Sequence, residues 1–267
     1  DKMLVRVNNH ETILCTHPAD RIVLPKKGKA ENAEMVLKAL SVKAGETIRF
    51  AVMYCGGETI DARPITVDSL VQARKNAETY WRQANLPYNR VLVPDAGIQA
   101  LLDGSIRNIW QAREIKKGLP AFQVGPTCYR GLWIVDGSFL LESAAMLGVG
   151  DQARAGIEYM LSFQKEDGRF EVLDKYHKEN GIVLWACTRH AQLAQDRPWL
   201  ESVWPKLLRT ADYIKRLRQE TLKNDTPLDD GLMPPGTVDG GIGGVQLEHT
   251  NTYWNLLGLK AFIQAAR

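Results

Sequence analysis

Along the first 60 residues the apolar positions come in short runs divided by turn-forming clusters. Met3 to Val7, Thr12 to Cys15, Arg21 to Leu24, Met35 to Val42 and Thr47 to Tyr54 are rich in Val, Ile, Leu and Thr, and NNHE, HPAD, PKKGKAEN and KAGE separate them. In the last run Ile48, Phe50 and Val52 alternate with Thr47 and Arg49, the period of a half-buried strand. About five strands, opening in mid-strand at Asp1, read as the C-terminal part of a β-sandwich over residues 1–61.

From residue 66 the period becomes helical. The spacing predicts helices over Val67 to Ala84, Pro94 to Lys117, Gly137 to Leu147, Asp151 to Gln164, Gly181 to Ala194 and Pro198 to Gln219, and a last one from about Asn251. In the second, Ile98, Leu101, Leu102, Ile106, Ile109 and Trp110 recur at three and four; in the sixth, Trp204, Leu207, Leu208, Ala211 and Ile214 share a face.

The connections alternate in length. Gly148 to Gly150 and Gln195 to Arg197 are short, as between antiparallel neighbours, whereas 118–135, 165–180 and 220–249 are long. In an up-and-down array every second loop emerges at the same end, so the long loops are expected on one rim. Helices that follow a long loop (SFLLESAAMLG, GIVLWACTRHAQL, TYWNLLGLKAF) are apolar around most of their circumference. Those that follow a short one (AGIEYMLSFQ, SVWPKLLRTADYIKRLR) are one-sided. An inner ring inside an outer ring follows, which is an α/α toroid occupying residues 62–267. About seven helices leave the last inner helix without an outer partner, so the expectation is a truncated toroid with its C-terminal hairpins missing.

Composition narrows the function classes. The chain has 267 residues, 34 basic and 31 acidic side chains, and a formal charge of +3. Without a basic block it lacks the footprint of a nucleic-acid binder. No apolar run approaches the ~18–20 residues of a membrane-spanning helix, so membrane insertion is not expected. The opening DKMLVRVNNHE lacks the basic stretch and apolar core of a secretory signal, so any export signal is expected upstream. Cysteines stand at 15, 55, 128 and 187 without metal-ligand spacing, and read as isolated buried thiols.

At this point a resemblance emerges. The order is a sandwich tail, a helical linker, LPAFQVGPTCYRGLWIVDGSFLLESAAMLG, YMLSFQKEDGRF, KENGIVLWACTRHAQLAQDRPWL and DDGLMPPGTVDGG. It resembles the six-hairpin glycosidases, the superfamily of bacterial α-L-rhamnosidases, glucoamylases and glycogen-debranching enzymes. The most specific piece, Tyr129 to Gly137 (YRGLWIVDG), is similar to the W-x-x-D element that opens an inner helix on the active-site rim. Where a rhamnosidase-like signature carries an acidic residue, this chain has Cys128, Tyr129 and Arg130, which sets it apart from rhamnosidases in particular. The resemblance implies a mainly α, (α/α)6-barrel glycoside hydrolase that inverts with two carboxylic groups. It also implies a carbohydrate substrate, a periplasmic or secreted setting, and a second carboxylate that in many relatives lies in a late hairpin.

Inversion needs one protonated carboxyl to donate to the leaving oxygen and one carboxylate to activate water, about 6.5–9.5 Å apart. The rim loops offer Asp136, Glu179, Glu248 and Glu171 as catalytic candidates, with Asp167, Asp174, Asp229, Asp230 and Asp239 nearby. Trp133, Tyr176, Tyr253 and Trp254 are candidate platforms for sugar faces, and Arg130, His177 and His249 candidate donors to hydroxyls; Asp239 is also expected to bind substrate. Each has a plainer role beside it. Asp136 could cap the third helix, Glu179 could favour a helix N-terminus, and Glu248 could cap the last helix. Asp167-Gly168 reads as a turn, Glu171 as solvated loop, Trp133 as core, and His190 as a core histidine. The glycines of GGIGGVQL, between Asp239 and Glu248, read as a mobile lid; without GK[ST] they do not suggest nucleotide binding. No metal or other cofactor is required, though so many rim acids leave room for a structural calcium. Disaccharide phosphorolysis, lyase chemistry on the same toroid, and non-catalytic carbohydrate binding remain as alternatives.

Overall fold

A computed structural model describes residues 3–7, 10–23, 34–54, 66–125, 129, 131–222, 231–238 and 243–267. The chain divides into two compact units, Asp1–Asn85 and Leu86–Arg267.

In the first unit, strand β1 (Met3–Val7) pairs antiparallel with β2 (His10–Cys15). Strands β3 (Ala19–Val23) and β4 (Glu34–Leu37) form a separate antiparallel pair. The expected strand over Thr47 to Tyr54 is cut to β5 (Val52–Tyr54), which pairs with β2. Just before it, Thr16 meets Ala51 twice: its N–H donates to the Ala51 carbonyl at 3.0 Å, and its hydroxyl accepts the Ala51 N–H at 2.9 Å in place of a backbone carbonyl. Ile48 and Phe50 are each 43% exposed, so their alternation did not produce a buried face. The expected strand over Met35 to Val42 likewise ends at Leu37, with Leu40 and Val42 exposed. Helix α1 (Val67–Gln83) also belongs to this unit; Thr66 and Ser69 close a reciprocal capping box at its start, worth about 1 kcal/mol.

Among the described residues the second unit holds six α-helices. Helix α2 (Ala96–Ala112) is capped by Asp95, which accepts the Ile98 N–H at 2.8 Å. It stops short of the predicted Lys117, because Lys117 and Gly118 both adopt positive φ (53° and 79°), the geometry of a two-residue hairpin turn. The residues around that turn form β6 (Glu114–Lys116) and β7 (Leu119–Ala121). Only part of the α2 stripe is buried: Ile106 and Trp110 are inside, while Ile98 and Leu101 are exposed.

Helices α3 (Ile134–Met146), α4 (Gly150–Leu161), α5 (Lys178–Ala194), α6 (Arg197–Glu220) and α7 (His249–Ala265) follow, with the short β8 (Gly236–Thr237) and β9 (Val245–Gln246) paired ahead of α7. Both α3 and α5 begin three residues earlier than their periodicity predicts, which carries Asp136 and Glu179 into the first helical turns. The connections keep the predicted alternation, short at 147–149 and 195–196 and long elsewhere.

Helix α5 lies between α3 and α7, with α4 packed on α3 and α5, and α6 on α5. Side-chain pairs advance together along α3 and α5, Phe139 with Trp185 and then Glu142 with Arg189, so these helices run parallel. Helices α5 and α7 also run parallel, joined near their starts by Lys178 and Asn251 and further on by Gly181 and Gly258. The N-termini of all three therefore share one end. Of the three, α5 alone is enclosed almost all round, as predicted for an inner helix. Helices α3 and α7 are one-sided instead, exposing Phe139 and Met146, and Tyr253, Leu256, Leu257 and Ile263. Their mostly apolar sequences had suggested burial on every face; position in the layer, not composition, sets how many faces are covered.

The α5–α7 contact is backbone on backbone. A Cβ on Gly181 would come within 2.1 Å of the Trp254 carbonyl oxygen, and one on Gly258 within 2.0 Å of the Gly181 carbonyl oxygen. Replacing Gly258 with Ala is expected to force the helices apart and lower the unfolding free energy by about 1–3 kcal/mol. Gly104, inside α2 with nothing within 4 Å of an added Cβ, is the opposite case. There Gly→Ala is expected to add about 0.4–1 kcal/mol. Chemical denaturation of both variants checks the pair, and equal effects would contradict this account of the joint.

Candidate active site

Two long loops meet over the N-terminal ends of α5 and α7. Thr237 N–H donates to the Lys175 carbonyl at 3.0 Å, and its hydroxyl to the Asp174 carbonyl at 2.7 Å. His177 donates from Nε2 to the Pro235 carbonyl at 3.3 Å. Gly236 passes so close that a Cβ would lie 2.6 Å from the Lys175 carbonyl oxygen and 2.8 Å from Asn251 Nδ2. Asn251 and Asn255 then tie the helices together: Lys178 N–H donates to Asn251 Oδ1 at 3.0 Å, and Asn255 Nδ2 to the His177 carbonyl at 3.1 Å. His177, Lys178, Asn251 and Asn255 are buried and tied by these bonds, as a low-dielectric interior favours, while the Thr237–Asp174 bond lies at the surface and Asn255 Oδ1 has no partner among the described residues.

Glu179, in the first turn of α5, is 1% exposed. Its Oε2 accepts the Val172 N–H at 2.7 Å, and the Leu173 N–H also donates to its carboxyl. Burial outweighs these two donors and pushes its pKa up to about 8, with the Glu171 carboxylate adding to the rise. At neutral pH Glu179 therefore carries a proton. Glu171, on the loop above, forms an ion pair with Arg169 at 3.0 Å and accepts the Lys175 N–H at 3.1 Å. Asp167 holds the Arg169 guanidinium at 2.9 Å and is the chief reason that the Arg169 pKa is raised. The predicted Asp167-Gly168 turn is present: Gly168 has φ +92°, and a Cβ there would meet the Arg209 carbonyl oxygen at 2.4 Å.

Next to this group lies a second one. Lys178 is fully buried, and its ammonium sits 3.3 Å from Glu248 Oε2 and 4.7 Å from the centre of the Tyr176 ring. Glu248 occupies the N-cap position of α7, yet its side chain makes no capping hydrogen bond. It accepts instead from Lys178, from the Thr250 hydroxyl and from Asn251 Nδ2 at 3.0 Å. A buried ammonium is tolerated only when paired, so this carboxylate is held where the lysine needs it.

The other predicted residues divide. Asp136 lies in the first turn of α3 and is exposed; the N-cap there is Trp133, so Asp136 is not the cap. No hydrogen bond or ion pair among the described residues joins Asp136 to Glu179 or Glu248. Trp133 stands edge-on to Tyr129 at 5.2 Å, and Trp254 meets Phe139 at 5.8 Å. His249 is exposed and stacks on Tyr253. Burial lowers the pKa of His177 and keeps it neutral. His190 is buried against Trp199 as expected of a core histidine, although its Nδ1 has no partner. Cys15 and Cys187 are buried free thiols. Arg130, Asp239, Asp229, Asp230, Cys55, Cys128 and the centre of the glycine-rich segment lie outside the described residues. Two residues were missed in the sequence, Lys178 and Asn251. A lysine directly before a candidate acid in an apolar helix was the available signal for the first; nothing marked the second.

Among the described residues no group of His, Cys, Asp and Glu is arranged to hold a metal ion, and no helix is long and apolar enough to cross a membrane. No family model and no solved structure matches the chain. A curated protein of Methanocaldococcus jannaschii named "Uncharacterized glycosyl hydrolase MJ1610" is 22% identical over 152 residues, covering 51% of this chain and 24% of that protein. The likeness is distant, and the match spans about a quarter of that relative's length.

The Glu179 proton makes stability depend on pH. Its folded-state pKa is raised, so its contribution is fully present below about 4.5 and is lost as pH rises through about 8. Glu179→Gln keeps an acceptor for Val172 and cannot ionise. Its stability relative to the unsubstituted chain is expected to rise between pH 4.5 and 8 by on the order of 2–4 kcal/mol. Urea denaturation across that range tests this; parallel stability curves would show that Glu179 is already ionised at neutral pH.

Proposed function

We propose that the chain is the core of a glycoside hydrolase, acting by inversion on an oligo- or polysaccharide at the end where α3, α5 and α7 begin. The observation that carries this reading is a carboxyl kept protonated up to about pH 8 in the first turn of α5, beside a helix whose first turn presents an exposed aspartate. Parallel neighbouring helices lie about 8–10 Å apart, so acids on their first turns suit the ~6.5–9.5 Å of an inverting pair.

On this reading Glu179 donates the proton to the leaving oxygen and Asp136 activates the water. Glu248 is already engaged by Lys178, Thr250 and Asn251, and Glu171 by Arg169; both shape the charge around the acid. The backbone of Val172 and Leu173 lies over Glu179, so on this reading a substrate reaches the acid only where that loop is displaced. Trp254, Phe139 and Trp133 offer ring faces to the apolar sides of sugars. The distant relative named a glycosyl hydrolase supports the same reaction class, and the parallel inner layer with α4 and α6 behind it is compatible with a larger α/α toroid.

Glu179→Gln and Asp136→Asn are each expected to lower kcat at least ~100-fold on a cleaved glycan, without a matching rise in KM. The rate should also fall above about pH 8, where Glu179 loses its proton, and that limb should vanish in Glu179→Gln. A glycan screen with product stereochemistry read by NMR is the measurement. Near-unchanged turnover in either variant removes that residue from the pair, and a requirement for phosphate or an unsaturated product would replace hydrolysis with phosphorolysis or elimination.

A further inference from the structure

On the side of α5 that neither α4 nor α6 covers, a groove of about 450 Å³ runs between α3, α5 and α7. Its size suits a small ligand. It is lined by Glu142, Trp185, Arg189, Gln192, Lys260 and Gln264 among others. Trp185 and Arg189 lie about 10–16 Å along α5 from Lys178, so the groove is separate from the acid cluster. It is nevertheless linked to it by aromatic rings: Trp254 meets Phe139 at 5.8 Å, and Phe139 meets Trp185 at 5.5 Å.

The charges of this groove are unbalanced. Glu142 accepts from Arg189 Nε at 2.6 Å, which leaves the outer edge of the guanidinium, Nη1 and Nη2, without a partner among the described residues. Lys260 lines the same space and forms no ion pair among the described residues. Two cations against one carboxylate leave one positive charge. The free guanidinium edge is a planar fork that matches a carboxylate bidentately, and the Lys260 ammonium supplies a second point charge. Trp185 gives a flat apolar wall, and the amides of Gln192 and Gln264 are donors and acceptors suited to hydroxyls.

Resting on the glycosidase reading above, we infer that this groove is a subsite for a sugar ring bearing a carboxylate, so that the substrate class is an acidic, uronate-containing glycan. The ring lies against Trp185, its carboxylate meets Arg189 and Lys260, and the chain continues along Phe139 and Trp254 towards the acids.

The test is calorimetric titration of the 267-residue chain with trigalacturonate and triglucuronate, each beside its neutral counterpart, galactotriose and cellotriose. At least one acidic trimer is expected to bind at least about tenfold tighter than its neutral counterpart, and to weaken with added salt. Lys260→Ala should weaken that binding about fivefold, and Glu142→Gln, which removes the opposing charge, should strengthen it by a similar factor. Equal binding of acidic and neutral trimers, no binding of either acidic trimer, or unchanged affinity in both variants would overturn the subsite. Acidic trimers that bind but are not cleaved, in a chain that cleaves no glycan, would support the subsite and sink the hydrolase reading. Cleavage of neutral glycans without acidic binding would do the reverse.

Discussion

Helices α5 and α7 touch through bare backbone at Gly181 and Gly258, and most of what distinguishes the second unit depends on that contact. Two helices carrying ordinary side chains stay about 8–10 Å apart. With no Cβ at either crossing point they close further, and the first turn of α5 is then enclosed by α7 on one side and by its own preceding loop on the other. The enclosure takes in Lys178, Glu179 and Asn180, all polar and all at most 1% exposed. Desolvating them is unfavourable by itself. The structure compensates with Asn251, Asn255, Glu248 and the backbone of 172–173, so the glycine contact and the polar network depend on each other.

The same enclosure separates the roles of acids that look alike in the chain. Glu179 is cut off from water and keeps its proton, whereas Glu248 faces an ammonium and serves as its counter-charge. Asp136 occupies an equivalent first turn on α3 and stays exposed. Three acids at the start of three parallel helices thus sit in three different environments. Divergence of this kind lets one rim supply both an acid and a base.

Much of the architecture was legible because it is local. The helical period and the alternation of short and long connections are properties of neighbouring residues, and the structure keeps them. The failures have physical causes of the same scale. Lys117-Gly118 formed a hairpin turn where the periodicity suggested more helix. The strand expected from Thr47 shortened to Val52–Tyr54, next to a Thr16–Ala51 pair that is closed on one side by the threonine hydroxyl. The starts of α3 and α5 came three residues early, because Trp133 and His177 provide no side-chain cap to mark them.

Sequence by itself determined which segments are helices, which loops are long, and that acids and aromatics gather at the ends of the helices following those loops. These follow from spacing and turn chemistry within a few residues. Only the tertiary structure decided that Glu179 is protonated, that Lys178 is buried and claims Glu248, and that Arg189 and Lys260 face one groove. The last two depend on residues about 70 positions apart meeting, and the first on enclosure of the α5 start by the loop ahead of it; each brings a loss of water. No local pattern in the chain encodes that loss of water, although it sets the charge of each group.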